Sequence, residues 1–173
     1  GHNGREETTT LCLIPAVREA TTLPLIAAGG IGTGEAIFAL MALGAEGVQM
    51  GTRFALTDES SASDIFKEYC LRLNEGDTKL LLKKLAPTRL VTNSFRDRVE
   101  AAEGRGASAE ELRELLGRGR AKKGIFEGDL EEGELEIGQV AALFRRRQSV
   151  DEVMKELLEG YRRASDKIRS AGL

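Results

Sequence analysis

The chain has 173 residues, of which 41% are hydrophobic, enough for one ordinary domain with a buried core. A formal net charge of -3 and a sequence pI near 5.4 exclude a general electrostatic attraction to nucleic acid or to an anionic membrane surface. Aromatic residues make up only 5%, which disfavours nucleic-acid binding by base stacking. No apolar run approaches the roughly 20 residues of a membrane span, and no signal peptide is visible. We therefore expect a cytoplasmic protein.

The two cysteines, Cys12 and Cys70, lie in segments with apolar periodicity and lack the spacing of metal ligands. We predict that both are reduced core residues, which fits a cytoplasmic location. No metal site is predicted.

The chain opens with a polar, glycine-containing loop, GHNGREETTT, which holds its single histidine, His2. A helix is predicted after it, from Leu11 to about Ala20. A lone histidine in such a loop is more often a surface residue than a catalytic one. In a parallel α/β pattern, however, a loop before a helix lies at the carboxyl end of a strand, where active sites form. Imidazole there can donate a hydrogen bond or accept a proton near neutral pH, and the residues alone leave both roles open.

Residues 25–54 read as a βαβ unit. A short apolar strand at 25–28 is followed by a helix with Thr33 as its N-cap and Gly44 as its left-handed C-terminal residue. A second apolar strand follows at 48–50. A crossover of this kind makes the two strands parallel and adjacent, and their apolar character predicts burial on both faces.

Each of these strands ends in a turn. Gly29 and Gly30 follow the first strand, and Gly51 and Thr52 follow the second. The carboxyl ends of neighbouring parallel strands lie at one sheet edge, so the free N–H groups of both turns form a concave surface suited to an anion. A tight turn would explain either pair alone, whereas the two together favour a phosphate site.

Two parallel strands neither close a barrel nor make a doubly wound sheet. The chain also opens without an initiator methionine and without a first strand. We therefore expect the C-terminal part of a larger α/β protein, in which residues 1–75 belong to the α/β part and residues 76–173 form a mostly helical extension.

Three capping patterns predict helix starts in the second half of the chain: Ser61 with Asp64, Ser108 with Glu111, and Ser149 with Glu152. The first of these helices is expected to run to about Asn74. Residues 80–91 fit either a short strand pair or an irregular segment, and the pattern does not choose between them.

Residues 117–140 are rich in glycine and in charges of both signs. Four basic residues open this segment: Arg118, Arg120, Lys122 and Lys123. They are consistent with a solvated linker or with an anion contact, such as a cofactor phosphate or an acidic partner. Six acidic residues follow at once and would repel a nucleic-acid backbone, so nucleic acid is not predicted as a partner.

Three motifs together resemble a known family: GHNG at 1–4, LIAAGGI at 25–31 and GVQMGTRF at 47–54. In order and spacing they are similar to the nitronate monooxygenase (2-nitropropane dioxygenase) family of FMN enzymes, which includes the FabK-type enoyl-acyl-carrier-protein reductases. The segment RGRAKKGIFEGDLEEGELEIGQV resembles the one that closes FabK-type sequences. The resemblance implies the C-terminal part of a (β/α)8 TIM barrel, with the two strands as its seventh and eighth, followed by the helical extension.

The resemblance also implies site residues. His2 matches the family's active-site histidine, which would act on a nitronate beside the flavin or position and protonate an enoyl thioester. Eight residues would bind FMN: Gly1, Ala28, Gly29, Gly30, Gln49, Met50, Gly51 and Thr52. The residues that contact the flavin ring would lie in upstream strands.

The tail resemblance favours NAD(P)H-dependent reduction of trans-2-enoyl thioesters on acyl carrier protein, in which RGRAKKG would offer the acidic carrier a cationic surface. The alternatives are oxidation of alkyl nitronates with O2, NAD(P)H:quinone reduction, and a non-enzymatic barrel remnant. The implied partners are a small-molecule or carrier-bound substrate, with a homodimer left open. The segment alone is expected to be inactive.

Overall fold

The structure is a computed structural model that describes residues 8–172, so Gly1 and His2 lie outside the described residues. The described part is a mixed α/β structure with two small sheets. Its elements, in chain order, are α1 (Thr10–Ala20), β1 (Ile26–Ala28), α2 (Gly34–Ala42), β2 (Gly47–Gln49), α3 (Thr52–Ala55), α4 (Asp64–Cys70), β3 (Thr78–Leu81), β4 (Thr88–Val91), α5 (Ser94–Gly104), α6 (Ala109–Leu116), a π-helix (Lys122–Phe126), a 3-10 helix (Gln139–Leu143) and α7 (Val150–Ser170).

The predicted βαβ unit is confirmed. β1 and β2 pair in parallel with Ala28 opposite Gln49. The Thr33 hydroxyl accepts a hydrogen bond from the Ala36 N–H at 3.2 Å and caps α2. Gly44 follows the helix with a φ of +103°, the left-handed conformation that glycine adopts at least cost.

The sequence predicts strands buried on both faces within a larger α/β protein, whereas the described residues alone bury one face. Ala27 is fully buried in β1, but its neighbour Ile26 is 55% exposed. Successive side chains of a strand point to opposite faces. In residues 8–172 only one face of this two-stranded sheet is covered, by a cluster that includes Ile14, Ile31 and Leu40.

The second half of the chain contains an antiparallel pair. β3 and β4 align Thr78 with Val91, so this region forms the short strand pair rather than an irregular segment. Leu82, directly after β3, has a left-handed conformation with a φ of +58°. A further stretch runs beside β4, since the Val91 N–H donates to the Leu135 carbonyl at 2.9 Å.

Two of the three predicted helix caps are confirmed. Ser108 and Ser149 each form a complete capping box with the glutamate three residues on. The third is wrong, because Ser63 rather than Ser61 accepts from the N–H of Phe66, and α4 ends at Cys70 rather than near residue 74. Both serines precede the same apolar face, and periodicity alone does not fix which one begins the helix.

The long last helix, α7, returns to the βαβ unit and packs on α2. The Tyr161 ring meets the Phe38 ring edge-on at a centroid distance of 5.6 Å, and Arg163 pairs with Glu35 at 3.1 Å. The two backbones lie close together at Gly34, where a Cβ atom would overlap the carbonyl oxygen of Leu157. Glycine at this position therefore sets the approach of the two helices.

The two cysteines have different environments. Cys70 is fully buried, and burial raises the pKa of its thiol to about 12. Cys12 is exposed, so the prediction that both are core residues is wrong for Cys12. The reason is that α1 buries only Ile14 within the described residues.

Between residues 8 and 172, no helix is long and apolar enough to cross a membrane. The same stretch holds no group of three or more histidine, cysteine, aspartate or glutamate side chains arranged to bind a metal ion.

The close approach at Gly34 predicts a large effect of a single methyl group. Gly34→Ala should destabilise the protein by about 1–3 kcal/mol, because the backbones of α2 and α7 must separate to admit the Cβ. Gly104→Ala is the matched control, since nothing lies within 4 Å of a Cβ at the end of α5. Urea denaturation of both variants tests this, and equal stabilities would contradict the tight contact.

Glu134 predicts a pH dependence of stability. Burial mainly, and the nearby Glu136 charge, raise the pKa of Glu134 from 4.5 to about 7, although Arg120 opposes the shift. The folded state therefore holds this proton more tightly, and the resulting stabilisation is complete below pH 4.5 and lost as pH rises through about 7.

Glu134→Gln should accordingly gain stability relative to the parent protein between pH 5 and pH 8. Urea denaturation at the two pH values measures the difference. A difference in unfolding free energy between variant and parent that stays constant with pH would contradict the raised pKa of Glu134.

Candidate functional site

The two glycine turns lie side by side at the carboxyl edge of the parallel pair. Because Ala28 is opposite Gln49, the two strands end at the same level of the sheet. Gly29 and Gly30 have φ values of +101° and +70°, which L-residues with side chains rarely adopt. The first turn is also tied to α1, because the Thr10 hydroxyl donates to the Gly29 carbonyl at 3.1 Å.

A cavity of about 220 Å³ occupies the space between the two turns. It is lined by Ala28, Gly29, Gly30, Ile31, Gln49, Met50, Gly51, Thr52, Gly138 and Val140. Seven of the eight residues that the sequence predicts for cofactor binding are therefore brought together. Gly1, the eighth, and the predicted catalytic residue His2 lie outside the described residues.

Three lining residues were missed by the sequence analysis: Ile31, Gly138 and Val140. Gly138 and Val140 come from the second half of the chain, and the Gly138 N–H donates to the Thr52 Oγ1 at 3.0 Å across 86 residues. In the sequence, these two residues belong to the GQV that ends the segment resembling FabK-type sequences. Nothing in its local pattern places it over a turn so distant in sequence.

Two of the glycines border open space. Nothing lies within 4 Å of a Cβ atom built on Gly30 or on Gly51, and both residues line the cavity. No described protein atom would obstruct a side chain at Gly51, and any residue can adopt its φ of −88°. A ligand in the cavity would account for the missing side chain.

The lining contains no charged side chain, and its polar groups are backbone amides, the Gln49 carboxamide and the Thr52 hydroxyl. Consecutive backbone N–H groups in such turns attract anions. An anion would meet no carboxylate among the residues that line the cavity. The chemistry of the lining therefore fits a phosphate group better than a cation.

A second cavity of about 410 Å³ adjoins the first and shares Gly30 and Val140 with it. The loop before β3 forms one wall, with Glu75 among its residues, and the 3-10 helix forms the other. Leu143 on that helix is 63% exposed although its side chain is apolar. The adjoining space therefore offers an apolar wall opposite a polar one.

The basic stretch proposed as an anion contact is largely compensated within the chain. Lys122 pairs with Glu127 at 3.4 Å and Lys123 with Asp129 at 2.8 Å. The hydrogen bond from Lys123 is the main reason that the pKa of Asp129 falls to about 2.

Arg120, in the same stretch, points into the fold. Its guanidinium donates to the carbonyls of Leu116 and Glu132 and lies 4.5 Å from the centre of the Phe95 ring. Arg120 therefore joins α5 and α6 to the following loop rather than presenting a charge to a ligand.

The family model described as nitronate monooxygenase matches residues 1–160. A probable nitronate monooxygenase of Staphylococcus aureus (strain JH9) is 39% identical over 98 residues, which cover 55% of this chain and 27% of that protein.

Two solved structures are similar over almost the whole chain. FabK from Thermotoga maritima aligns with a TM-score of 0.89 and 33% identity over 96% of this chain and 53% of that one. Nitroalkane oxidase from Streptomyces ansochromogenes aligns with a TM-score of 0.74 and 29% identity over 92% of this chain and 45% of that one. The chain thus spans about half the length of these solved relatives.

Proposed function

Because the chain belongs to the nitronate monooxygenase family of flavin-dependent oxidoreductases, we propose that its two glycine turns hold the phosphate of FMN. One observation carries the proposal: the seven described residues predicted for this role line a single cavity. The cavity offers backbone N–H groups, open space at Gly30 and Gly51, and no carboxylate in its lining.

The size of the cavity supports binding of one end of the cofactor. Pockets that enclose a whole small molecule measure about 300–1,000 Å³, and this one measures about 220 Å³. It suits a phosphate with the adjoining part of the ribityl chain. Ala28, Gln49 and Met50 would line the wall beside that chain.

We further propose that β1 and β2 are the seventh and eighth strands of a (β/α)8 barrel, which the extension after residue 75 follows. Barrel enzymes commonly bind phosphate with the loops after those two strands. The length supports this proposal, since the chain aligns with 53% of the T. maritima FabK chain. The packing of α7 on α2 would place α7, although it belongs to the extension, beside a helix of the outer ring.

When bound, FMN would supply the redox chemistry of the site. The chain's own contribution would begin with His2, which we propose acts beside the cofactor by donating a hydrogen bond or a proton to the substrate. Gly1 would approach FMN from the same loop. The second cavity would receive the substrate, with Leu143 against its apolar part.

For the activity, we favour NAD(P)H-dependent reduction of a trans-2-enoyl thioester, carried by acyl carrier protein, over oxidation of an alkyl nitronate. The higher TM-score and identity to FabK than to nitroalkane oxidase support this order. The internal ion pairs of Lys122 and Lys123 weaken the support that the basic stretch gives to carrier-protein docking. The match to a probable nitronate monooxygenase of S. aureus supports the second candidate.

Gly51→Ala in the full-length protein tests the phosphate site. The added methyl group meets no protein atom within 4 Å, so the unfolding free energy should stay within about 0.5 kcal/mol of the parent value. It would occupy space assigned to the ligand, so the FMN dissociation constant should rise about tenfold, or about 1.4 kcal/mol.

Titration of the apoprotein with FMN, followed by flavin fluorescence, measures this change. Gly104→Ala serves as the control, because it is equally open but lies outside the cavity. An unchanged dissociation constant for Gly51→Ala would refute the phosphate site, and a full-length protein that binds no flavin would favour the non-enzymatic alternative.

The activity is tested by anaerobic stopped-flow mixing of the full-length protein with NADPH and then with a crotonyl thioester. We expect flavin absorbance to bleach and then return. His2→Ala should slow the second phase by about 10²–10⁴-fold, the usual contribution of a positioned proton donor, without loss of FMN. Oxygen consumption with propyl-2-nitronate, and no oxidation of NADPH or NADH, would instead establish the second candidate.

A further inference from the structure

We infer that Arg53 is a positioning residue that holds the two glycine turns and α7 in one arrangement, and that FMN affinity depends on it. The inference rests on the proposed FMN site but assigns a role to a residue outside the cavity lining. Arg53 follows Thr52 directly in α3. Its side chain is only 5% exposed.

The guanidinium of Arg53 hydrogen-bonds two side chains that also bond each other. One amino nitrogen donates to the Gln148 Oε1 at 2.9 Å and to the Glu156 Oε2 at 2.8 Å. The Gln148 Nε2 donates to the same glutamate oxygen at 2.8 Å. Three side chains from α3, the loop before α7, and α7 itself therefore share one charge-assisted network.

A second contact leads from Arg53 to the other turn. The guanidinium lies over the Phe144 ring, 4.4 Å from its centre. That ring packs so closely on Gly32 that a Cβ there would lie 2.7 Å from the Phe144 Cζ and from the Val140 Cγ2. Gly32 lies two residues after Gly30, at the end of the first turn. Arg53 is thus joined to the second turn through the backbone and to the first through Phe144.

The network leaves one donor unused. Within the described part of the chain, the Arg53 Nε is buried without a hydrogen-bond partner. Burying an unpaired donor costs free energy, so the position is not optimised for stability alone. An apolar side chain would avoid that cost but would lose the link to Glu156.

The link extends to the helix contact. Glu156 immediately precedes Leu157, whose backbone packs on Gly34 at the start of α2. α7 therefore contacts the helix that follows each turn. Glu156 contacts α3, which follows the second turn, and Leu157 contacts α2, which follows the first. Loss of the guanidinium would let the two turns shift relative to each other.

The test uses the full-length protein and two readouts: the FMN dissociation constant of the apoprotein, and its unfolding free energy without FMN. Arg53→Met should raise the dissociation constant at least tenfold, and Arg53→Lys should raise it less because the charge is kept. Glu156→Gln should raise it several-fold. The double variant with Arg53→Met should bind no more weakly than Arg53→Met alone, because the two side chains act through one contact.

Lys155→Gln is the matched control. Lys155 pairs with Asp151 at 2.7 Å on the same helix, but both side chains are exposed and neither contacts the network. Its FMN dissociation constant should stay within twofold of the parent value.

The outcomes separate the two proposals. If Arg53→Met and Glu156→Gln lower the unfolding free energy but leave the FMN dissociation constant unchanged, Arg53 is merely structural and the inference is overturned. Additive effects in the double variant would also overturn it. A parent protein that binds no FMN would overturn the proposed function and this inference together.

Discussion

The site depends on the parallel pairing of β1 with β2. Parallel strands end at the same edge of a sheet, and the register that sets Ala28 opposite Gln49 brings two turns from different parts of the chain to one level. The intervening α2 must cross over the sheet for this to occur, and its capping by Thr33 and Gly44 sets where it begins and ends. The cavity is a consequence of that pairing.

The pairing alone does not complete the cavity. Gly138 and Val140 supply its remaining wall, and they reach it because a stretch beside β4 carries the chain back from the second half. The hydrogen bond from Gly138 to Thr52 fixes this return at the second turn. The extension is therefore part of the site geometry as well as a separate set of helices.

Local signals in the sequence predicted the elements that local forces determine. Thr33, Ser108 and Ser149 cap helices because their hydroxyls meet amides three residues away, and that spacing is visible in the sequence. The ends of two predicted strands, together with a family resemblance, predicted seven of the residues that line the cavity. Gly138 was missed because its partner lies 86 residues away, and the exposure of Ile26 because periodicity shows that a residue is apolar but not whether a neighbour covers it.

The contact of α7 with α2 has a consequence for the order of folding. Leu157 and Gly34 meet across more than half of the chain, so this closure costs more loop entropy than the capping boxes or the β3–β4 pair. During synthesis the two turns emerge long before Glu156 and Leu157 do. In a nascent chain the two turns and the cavity between them therefore stay without the contacts of α7 until that helix has left the ribosome.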